Sequence, residues 1–589
     1  MANAEMIENP SVIVVGGGVA GLTATHRLLQ RGYDVTLIEA NDFPGGKLAA
    51  HRRRGDAAIQ EKCSVCENQG GCLRRGDWHE HCYHMYLNWY HNFWELMEEV
   101  GVLDSLVAQP AIYNIHRRDV GEPVSPAIPF ANMGSPWTTR RNMFAGLVGP
   151  ADMMLLGQTQ ADLAGEPEHR DSWLERTSIT AFMKSRAYTT DQALATTMRT
   201  TAQAFASPSY LSSARSYKGL LSYGMRLPEP SMWLLTANAQ RAIFMPWLMR
   251  LARVANCVEV LNEYGDFLKE EPFEALRTHS SPKANRNGKL TIRMLTSLKS
   301  LRIDKDTGLI VKIKLEQNQT SPTVQNSGAP VDAERPTEWM DVKGDLILAV
   351  PLDVLGRLAT PEIAAWAPNL PDVRYLRTEP MISMDLFFKR RLPDLPNGIT
   401  VLLDSPYEMS FFDNSQTWKD LAHGHTVLNV VASNADTLVT YSDEHIKTTL
   451  KKELRRYIDF SDDDLLDCRT YLQTNIGEQL FVNQVGSWQW RPQTTCGISN
   501  LFIAGDYCQT FIDVVTIEGA TVSGLMAAEA LRRRRGKGRP IRILQPDQYP
   551  VLAVAALAAS TRPVAYLARA VSSADFAIKS RYRQWFPNG

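Results

Sequence analysis

Residues 12–15 form a short β-branched apolar run without a polar break, the pattern of a strand buried on both faces. A helical stretch over 22–31 follows and ends at Gly32; residues 34–38 then read as a second strand closed by Glu39. Far downstream, 344–351 reads as another buried strand and turn, and 500–504 as a strand that enters Gly505-Asp506 ahead of a helix running to 531. Between these pieces the pattern changes. Tyr86, Tyr90, Phe93, Trp94, Met97 and Val100 recur at helical spacing over 87–100, with Gly101 as the stop, and predict a core-packed helix. Residues 103–237 carry further helical patterns rich in aromatics. Residues 375–489 mix strand-like runs (382–388, 426–431) with a helix over 442–457, and Trp488 and Trp490 flank a predicted strand before Pro492. The polar stretch 317–336, with Pro, Gly and Ser, reads as a loop. No internal repeat is present.

The length of 589 residues implies about two to four domains or lobes. A hydrophobic fraction of 44% and a charged fraction of 22% are those of an ordinary globular chain. Lys and Arg total 63 against 64 Asp and Glu, so bulk charge gives no reason to expect nucleic acid as a partner. The opening residues lack the basic and apolar regions of a secretory signal. No run reaches the ~18 apolar residues that span a bilayer, and the longest candidate, 551–559, is short and Ala-rich. The expectation is a cytoplasmic protein with at most peripheral membrane contact.

The chemistry begins at the first strand. It runs into Gly16-Gly17-Gly18-Val19-Ala20-Gly21, a GxGxxG turn with a helix, a second strand and an acid, Glu39, following in order. Gly16 makes the tight turn, Gly18 lets backbone amides approach a pyrophosphate, Gly21 allows close helix–strand packing, and Glu39 takes a ribose hydroxyl. Gly45-Gly46-Lys47 is a second glycine pair that resembles one typical of FAD-dependent amine oxidases and desaturases, a likeness that implies a loop along the pyrophosphate with its basic residue helping to neutralise it. At the other end Asp506 accepts from the ribityl or pyrophosphate region, and Glu518-Gly519-Ala520 opens a helix whose positive end faces the flavin N1/O2 edge. Leu298 joins the candidate cofactor contacts. The predicted class is therefore α/β: a Rossmann-like FAD domain of the GR2 type built from discontinuous segments, plus an α+β substrate lobe with mixed sheet and helices.

Taken together these residues resemble the carotene desaturase family, the phytoene and ζ-carotene desaturases, within the wider flavin amine oxidase group. The likeness runs through 45–50, Gly76-Asp77-Trp78-His79-Glu80-His81-Cys82-Tyr83-His84, Met245-Pro246, the strand ending at Pro351, Ala504-Gly505-Asp506-Tyr507 and 518–520. The chain departs from the family at His81, Cys82 and Tyr83, where small residues are usual, in an insert over 55–75, in another over 264–287, and in a tail after 539. The resemblance implies a desaturase of a hydrophobic isoprenoid or polyene. Hydride leaves an allylic carbon for flavin N5, and a quinone or dioxygen reoxidises the flavin. It implies His84 and Arg241 as active-site residues. Two other chemistries stay open: isomerisation or dehydroxylation of a lipid, and oxidation of an amine or amino acid with release of hydrogen peroxide.

The insert carries Cys63, Cys66 and Cys72, a knuckle-like spacing for zinc, with His79, His81 or Cys82 available as a fourth ligand; an iron–sulfur site or free thiols are the alternatives. Arg532 to Arg535, Lys537 and Arg539 form a basic run that suits a helix C-terminus or anionic lipid. The Ala/Leu-rich tail predicts an amphipathic helix on a membrane or on the protein itself. The expected segments are 11–102, 241–365 and 493–535 for the cofactor domain, 103–240 and 366–492 for the substrate lobe, and 536–589 for the tail.

Overall fold

The computed structural model describes residues 9–52, 78–109, 112–115, 118, 125–128, 149–205, 208–224, 230–261, 288–318, 335–419, 425–472, 480–546 and 549–585. Its centre is a six-stranded, wholly parallel sheet. In chain order the strands are β1 (Ser11–Val15), β2 (Asp34–Ile38), β3 (Cys257–Leu261), β4 (Lys289–Arg293), β5 (Asp345–Leu348) and β6 (Leu501–Ile503), and they lie side by side as β3-β4-β2-β1-β5-β6. Strand neighbours thus come from segments hundreds of residues apart.

The apolar run of β1 has a simple cause. Side chains alternate across a strand, and each face of this sheet meets its own core. Val12 and Val14 join one core with the helices; Ile13 and Val15 join the other, beneath an antiparallel meander of Thr296–Ile303, Ile310–Gln317 and Thr337–Asp341. On the helical face, α1 (Val19–Leu29) is buried along all its residues. It begins earlier than the patterning suggested, because the last glycine of the motif already belongs to its first turn. It lies against α4 (Ile517–Arg535), and a Cβ at Gly524 would stand 2.3 Å from the Ala20 carbonyl oxygen. Only glycine permits that crossing. Helix α2 (His91–Val100) packs on α4 and ends at Gly101 in the left-handed region, as the stop residue suggested.

A second sheet of seven strands forms the other lobe. It runs Leu465–Leu472, Ile382–Phe388, Val427–Ala432, Met409–Asp413, Ile399–Leu402, Ile112–Ile115 and Ser125–Ile128. The segment expected to be helical therefore also contributes two strands to this sheet. Residues 487–490 form a 3-10 helix, not the strand anticipated around Trp488 and Trp490; Arg491, described below, draws the chain inward there. Most of the 317–336 loop, 319–334, lies outside the described residues.

The tail forms one 35-residue helix, α5 (Val551–Trp585), which continues through Pro563. Its stretch Val551–Asp575 is long and apolar enough to cross a membrane by length and composition, which corrects the expectation drawn from 551–559. Arg562 and Arg569, seven residues apart, fall on one side of this helix. Ala558, Ala565 and Ala568 are buried, and α5 packs against α3 (Pro150–Ala164). Ser572 donates to Asp152 at 2.8 Å, Gln158 donates to the Ala558 carbonyl at 2.8 Å, and Arg562 reaches Asp162 at 3.1 Å.

Candidate functional site

The glycine loop sits at the carboxyl ends of β1 and β2, where open parallel sheets bind their ligands. Gly16 has φ +105° and a Cβ there would meet the Ala349 carbonyl oxygen at 2.2 Å; one at Gly21 would meet the Gly16 carbonyl oxygen at 1.9 Å. At Gly18, by contrast, the nearest atom to such a Cβ is the Gly46 Cα at 3.8 Å, an ordinary contact, so packing alone does not demand glycine there. The first turn of α1 has no side-chain cap and no acidic residue. Its free amides and positive end suit a pyrophosphate.

Glu39 is buried, with one carboxylate oxygen accepting from the Gly17 amide at 2.6 Å and the other from the Asn41 backbone and side-chain amides at 2.9 and 3.0 Å. Burial raises its pKa, and these donors partly offset the rise. The amide of Gly45 donates to the Gly17 carbonyl at 2.8 Å, which binds the second glycine pair to the first. Gln240 donates to the Pro44 carbonyl at 2.7 Å, and Phe244 covers Gly45. Both belong to a π-helical turn, Gln240–Phe244, a geometry frequent at functional sites. Arg241 lies on the same turn with its side chain exposed, and Lys47 is half-buried beside the exposed Gly46. Leu298 is buried in the meander core, three residues past the backbone of Met294–Leu295 that adjoins Asn41; Thr296 donates to the Glu39 carbonyl at 2.9 Å.

At the carboxyl end of β6 the Gly505 amide donates to Ser523 at 2.9 Å, while the Asp506 side chain is half-buried with no hydrogen-bond partner among the described residues. Thr516 caps α4 by accepting from the Gly519 amide at 3.1 Å, and the Ala520 amide donates to the Thr516 carbonyl. Glu518 points elsewhere. Fully buried, it accepts from the Asn92 backbone and side-chain amides at 3.0 and 2.6 Å and from the Phe93 amide at 2.9 Å, so its carboxylate caps the start of α2. Burial lifts its pKa to about 7.

Arg491 escaped the sequence reading. It is buried, pairs with Asp513, and donates to the carbonyls of Tyr507 and Cys508 at 2.9 and 2.7 Å. One guanidinium thus holds the loop that joins β6 to α4. Its sole sequence signal is an arginine embedded between Trp490 and Pro492.

Residues 80–86 bridge the two lobes. Glu80 pairs with Ala50, accepts from the Ala239 amide at 2.7 Å, and has its pKa raised to about 8 by burial, with the nearby Asp385 adding to the effect. The Tyr83 amide donates to Asn429 at 2.9 Å and its hydroxyl to Ser410 at 2.6 Å, both in the second sheet. His84 is held neutral by burial, with its pKa lowered to about 4. The structure brings His84 together with His81 and Cys82. Cys63, Cys66 and Cys72 lie outside the described residues.

The basic run is engaged internally. Arg532 and Arg533 reach Glu529 at 2.7 and 2.8 Å, and Arg534 and Arg535 pair with the buried Asp345 at the start of β5. Arg534 and Arg535 thus anchor the end of α4 to the sheet, while Arg532 and Arg533 pair within the helix.

A parallel sheet with this glycine turn, a buried acid at the end of β2 and a helix start at the carboxyl ends of the strands has the form of a dinucleotide-binding fold. The family model described as flavin containing amine oxidoreductase matches residues 19–532, and the chain belongs to that family. It is an FAD-dependent oxidoreductase. It is similar to the 15-cis-phytoene desaturase of Synechococcus elongatus, 22% identical over 554 residues that cover 90% of this chain and 98% of the relative. Among solved structures it is similar in fold to wild-type putrescine oxidase bound to putrescine, with a TM-score of 0.55, 15% identity and coverage of 88% and 98% of the two chains. It is likewise similar to cyclohexylamine oxidase from Brevibacterium oxydans, with a TM-score of 0.53, 12% identity and coverage of 90% and 100%.

Proposed function

We propose that this enzyme desaturates a hydrophobic isoprenoid or polyene. The observation that carries the reading is the likeness to phytoene desaturase across nearly the whole of both chains. The chemistry of the lobe junction supports it. At neutral pH His84 is unprotonated and Glu80 protonated, and burial also keeps the Tyr83 and Tyr86 hydroxyls un-ionised. An apolar chain binds by burial alone, which contributes ~25 cal/mol per Å² without any ion pair, and the protonated Glu80 gives the ammonium group of a diamine no counter-charge.

Gly16, Gly18, Gly21, Glu39, Gly45, Gly46, Lys47, Gly505 and Asp506 would hold FAD, with α4 presenting its amino end through Gly519 and Ala520. The bound flavin supplies the hydride acceptor. The protein's part is to orient and dry the reacting carbons, since an aliphatic C–H has no useful acidity for side chains to exploit. His84 orients the substrate at the junction. A substrate of this kind is borne in lipid, and we assign its delivery to a bilayer surface contacted by the outer side of α5, where Leu552 and Leu567 are 81% and 68% exposed. A quinone is the acceptor that shares this phase.

The test supplies phytoene in liposomes with a quinone to the holoenzyme under nitrogen and follows polyene absorbance after chromatography. Desaturated product is expected. Hydrogen peroxide formed from a primary amine in air, with no polyene product, would replace this reading with the amine oxidase one. An altered lipid without net oxidation would favour an isomerase or dehydroxylase.

A further inference from the structure

We propose that His81, Cys82 and His84 form a binding site for a borderline-soft divalent cation, with zinc as the reference ion, at the junction of the two lobes. One ligand atom from each residue falls within 4.8 Å of the others. The Cys82 sulfur stands 3.7 Å from Nε2 of His84. A tetrahedral zinc with sulfur at ~2.3 Å and nitrogen at ~2.05 Å separates the two by about 3.5 Å, so this pair already has the spacing of a shared ion. The rings of His81 and His84 meet edge to face, with centroids 4.7 Å apart and planes at 79°.

The surroundings fit a metal better than plain packing. His81 is 4% exposed and Nδ1 of His84 is buried without a hydrogen-bond partner. Cys82 offers His84 only a weak hydrogen bond, since a thiol is a weak donor and a weak acceptor. An imidazole binds a cation through an unprotonated nitrogen and a cysteine as its thiolate, so uptake of the ion would release the Cys82 proton. The loop is preorganised from both sides. The Ala239 amide fixes Glu80 from the cofactor domain, and Asn429 and Ser410 fix Tyr83 from the second sheet. Three protein ligands leave a fourth position, which water fills. The bound ion would therefore tie the junction loop where the two lobes meet, independently of which substrate the enzyme uses.

The experiment measures zinc on the FAD-loaded protein purified without chelators, then exchanges it for cobalt(II) and records the d–d absorption to the red of the flavin bands. About one zinc per chain and a tetrahedral cobalt spectrum are expected. Both should be lost in Cys82→Ser and in His84→Asn, and both retained in the triple variant Cys63→Ser/Cys66→Ser/Cys72→Ser. Flavin content confirms that each variant is folded, and the two single variants serve as independent checks on each other. The proposal is overturned by a metal-free wild-type protein that takes up no cobalt, by zinc that survives both single substitutions, or by zinc lost from the triple cysteine variant.

Discussion

Replacing Arg491 by methionine tests the clasp that holds the flavin-edge loop. The substitution keeps most of the buried volume and removes the charge. The Asp513 carboxylate would then keep only Asn483 at 3.4 Å and Arg215 at 3.8 Å, and the carbonyls of Tyr507 and Cys508 would lose donors at 2.9 and 2.7 Å. Breaking a buried pair from one side costs about 3–5 kcal/mol, and a stranded carbonyl about 1–3 kcal/mol. These losses overlap, so about 3–5 kcal/mol is expected in total. The loop connects β6 to α4, and ordering it is part of forming the flavin site. If about 3 kcal/mol of the loss falls on the cofactor-bound state, the Kd for FAD rises roughly a hundredfold or more. Fluorescence titration of the apoprotein with FAD measures this, and thermal unfolding with and without FAD separates cofactor binding from global stability. The double variant Arg491→Met/Asp513→Asn, which leaves no uncompensated charge, should be less damaged than the sum of its single changes. An Arg491→Met protein with unchanged FAD affinity and unfolding temperature, or strict additivity in the double variant, would refute the clasp.

Glu39→Ala should weaken FAD binding roughly tenfold to a hundredfold, the value of one charge-assisted hydrogen bond of about 1.5–3 kcal/mol, as measured by the same titration. Gly524→Leu should force α1 and α4 apart, lowering the unfolding temperature and flavin content; overpacking of this kind costs about 1–3 kcal/mol or more. Because burial raises the pKa values of Glu80 and Glu518 to about 8 and about 7 from the ordinary glutamate value of 4.5, the folded state holds more protons than the unfolded chain across that interval. Their contribution is therefore full below pH ~4.5 and is lost as pH rises, to about 7 for Glu518 and about 8 for Glu80; Glu518→Gln should flatten the lower part of that slope in urea unfolding series. Leu552→Asp/Leu567→Asp should abolish co-sedimentation with liposomes while leaving the fold intact, since both side chains face solvent; unchanged sedimentation would remove α5 from the membrane reading.

The cofactor frame was legible in the chain because its requirements are local. Gly16 and Gly21 are dictated by backbone contacts inside one strand–turn–helix unit, and β1 is apolar throughout because each of its faces meets a core, so these features leave their mark within some thirty residues. The family resemblance rests on the same kind of short, backbone-determined segments. What the sequence could not carry are interactions whose partners meet only after folding. Nothing near Glu518 signals that its carboxylate caps α2, whose first residues lie more than four hundred positions earlier. Nothing near Arg534 signals Asp345, and a run of arginines reads as solvated until its acids are placed beside it. Gly524 looks like an indifferent helix glycine until Ala20 is laid across it. The tail reads in sequence as an amphipathic helix whose longest uninterrupted apolar run, 551–559, is short. In three dimensions Arg562 reaches Asp162 on α3, while an outer strip with Leu557, Val564, Leu567 and Val571 remains in solvent. Local backbone geometry is written along the chain; a charge, a small residue or an apolar strip takes its meaning from what the tertiary structure puts opposite it.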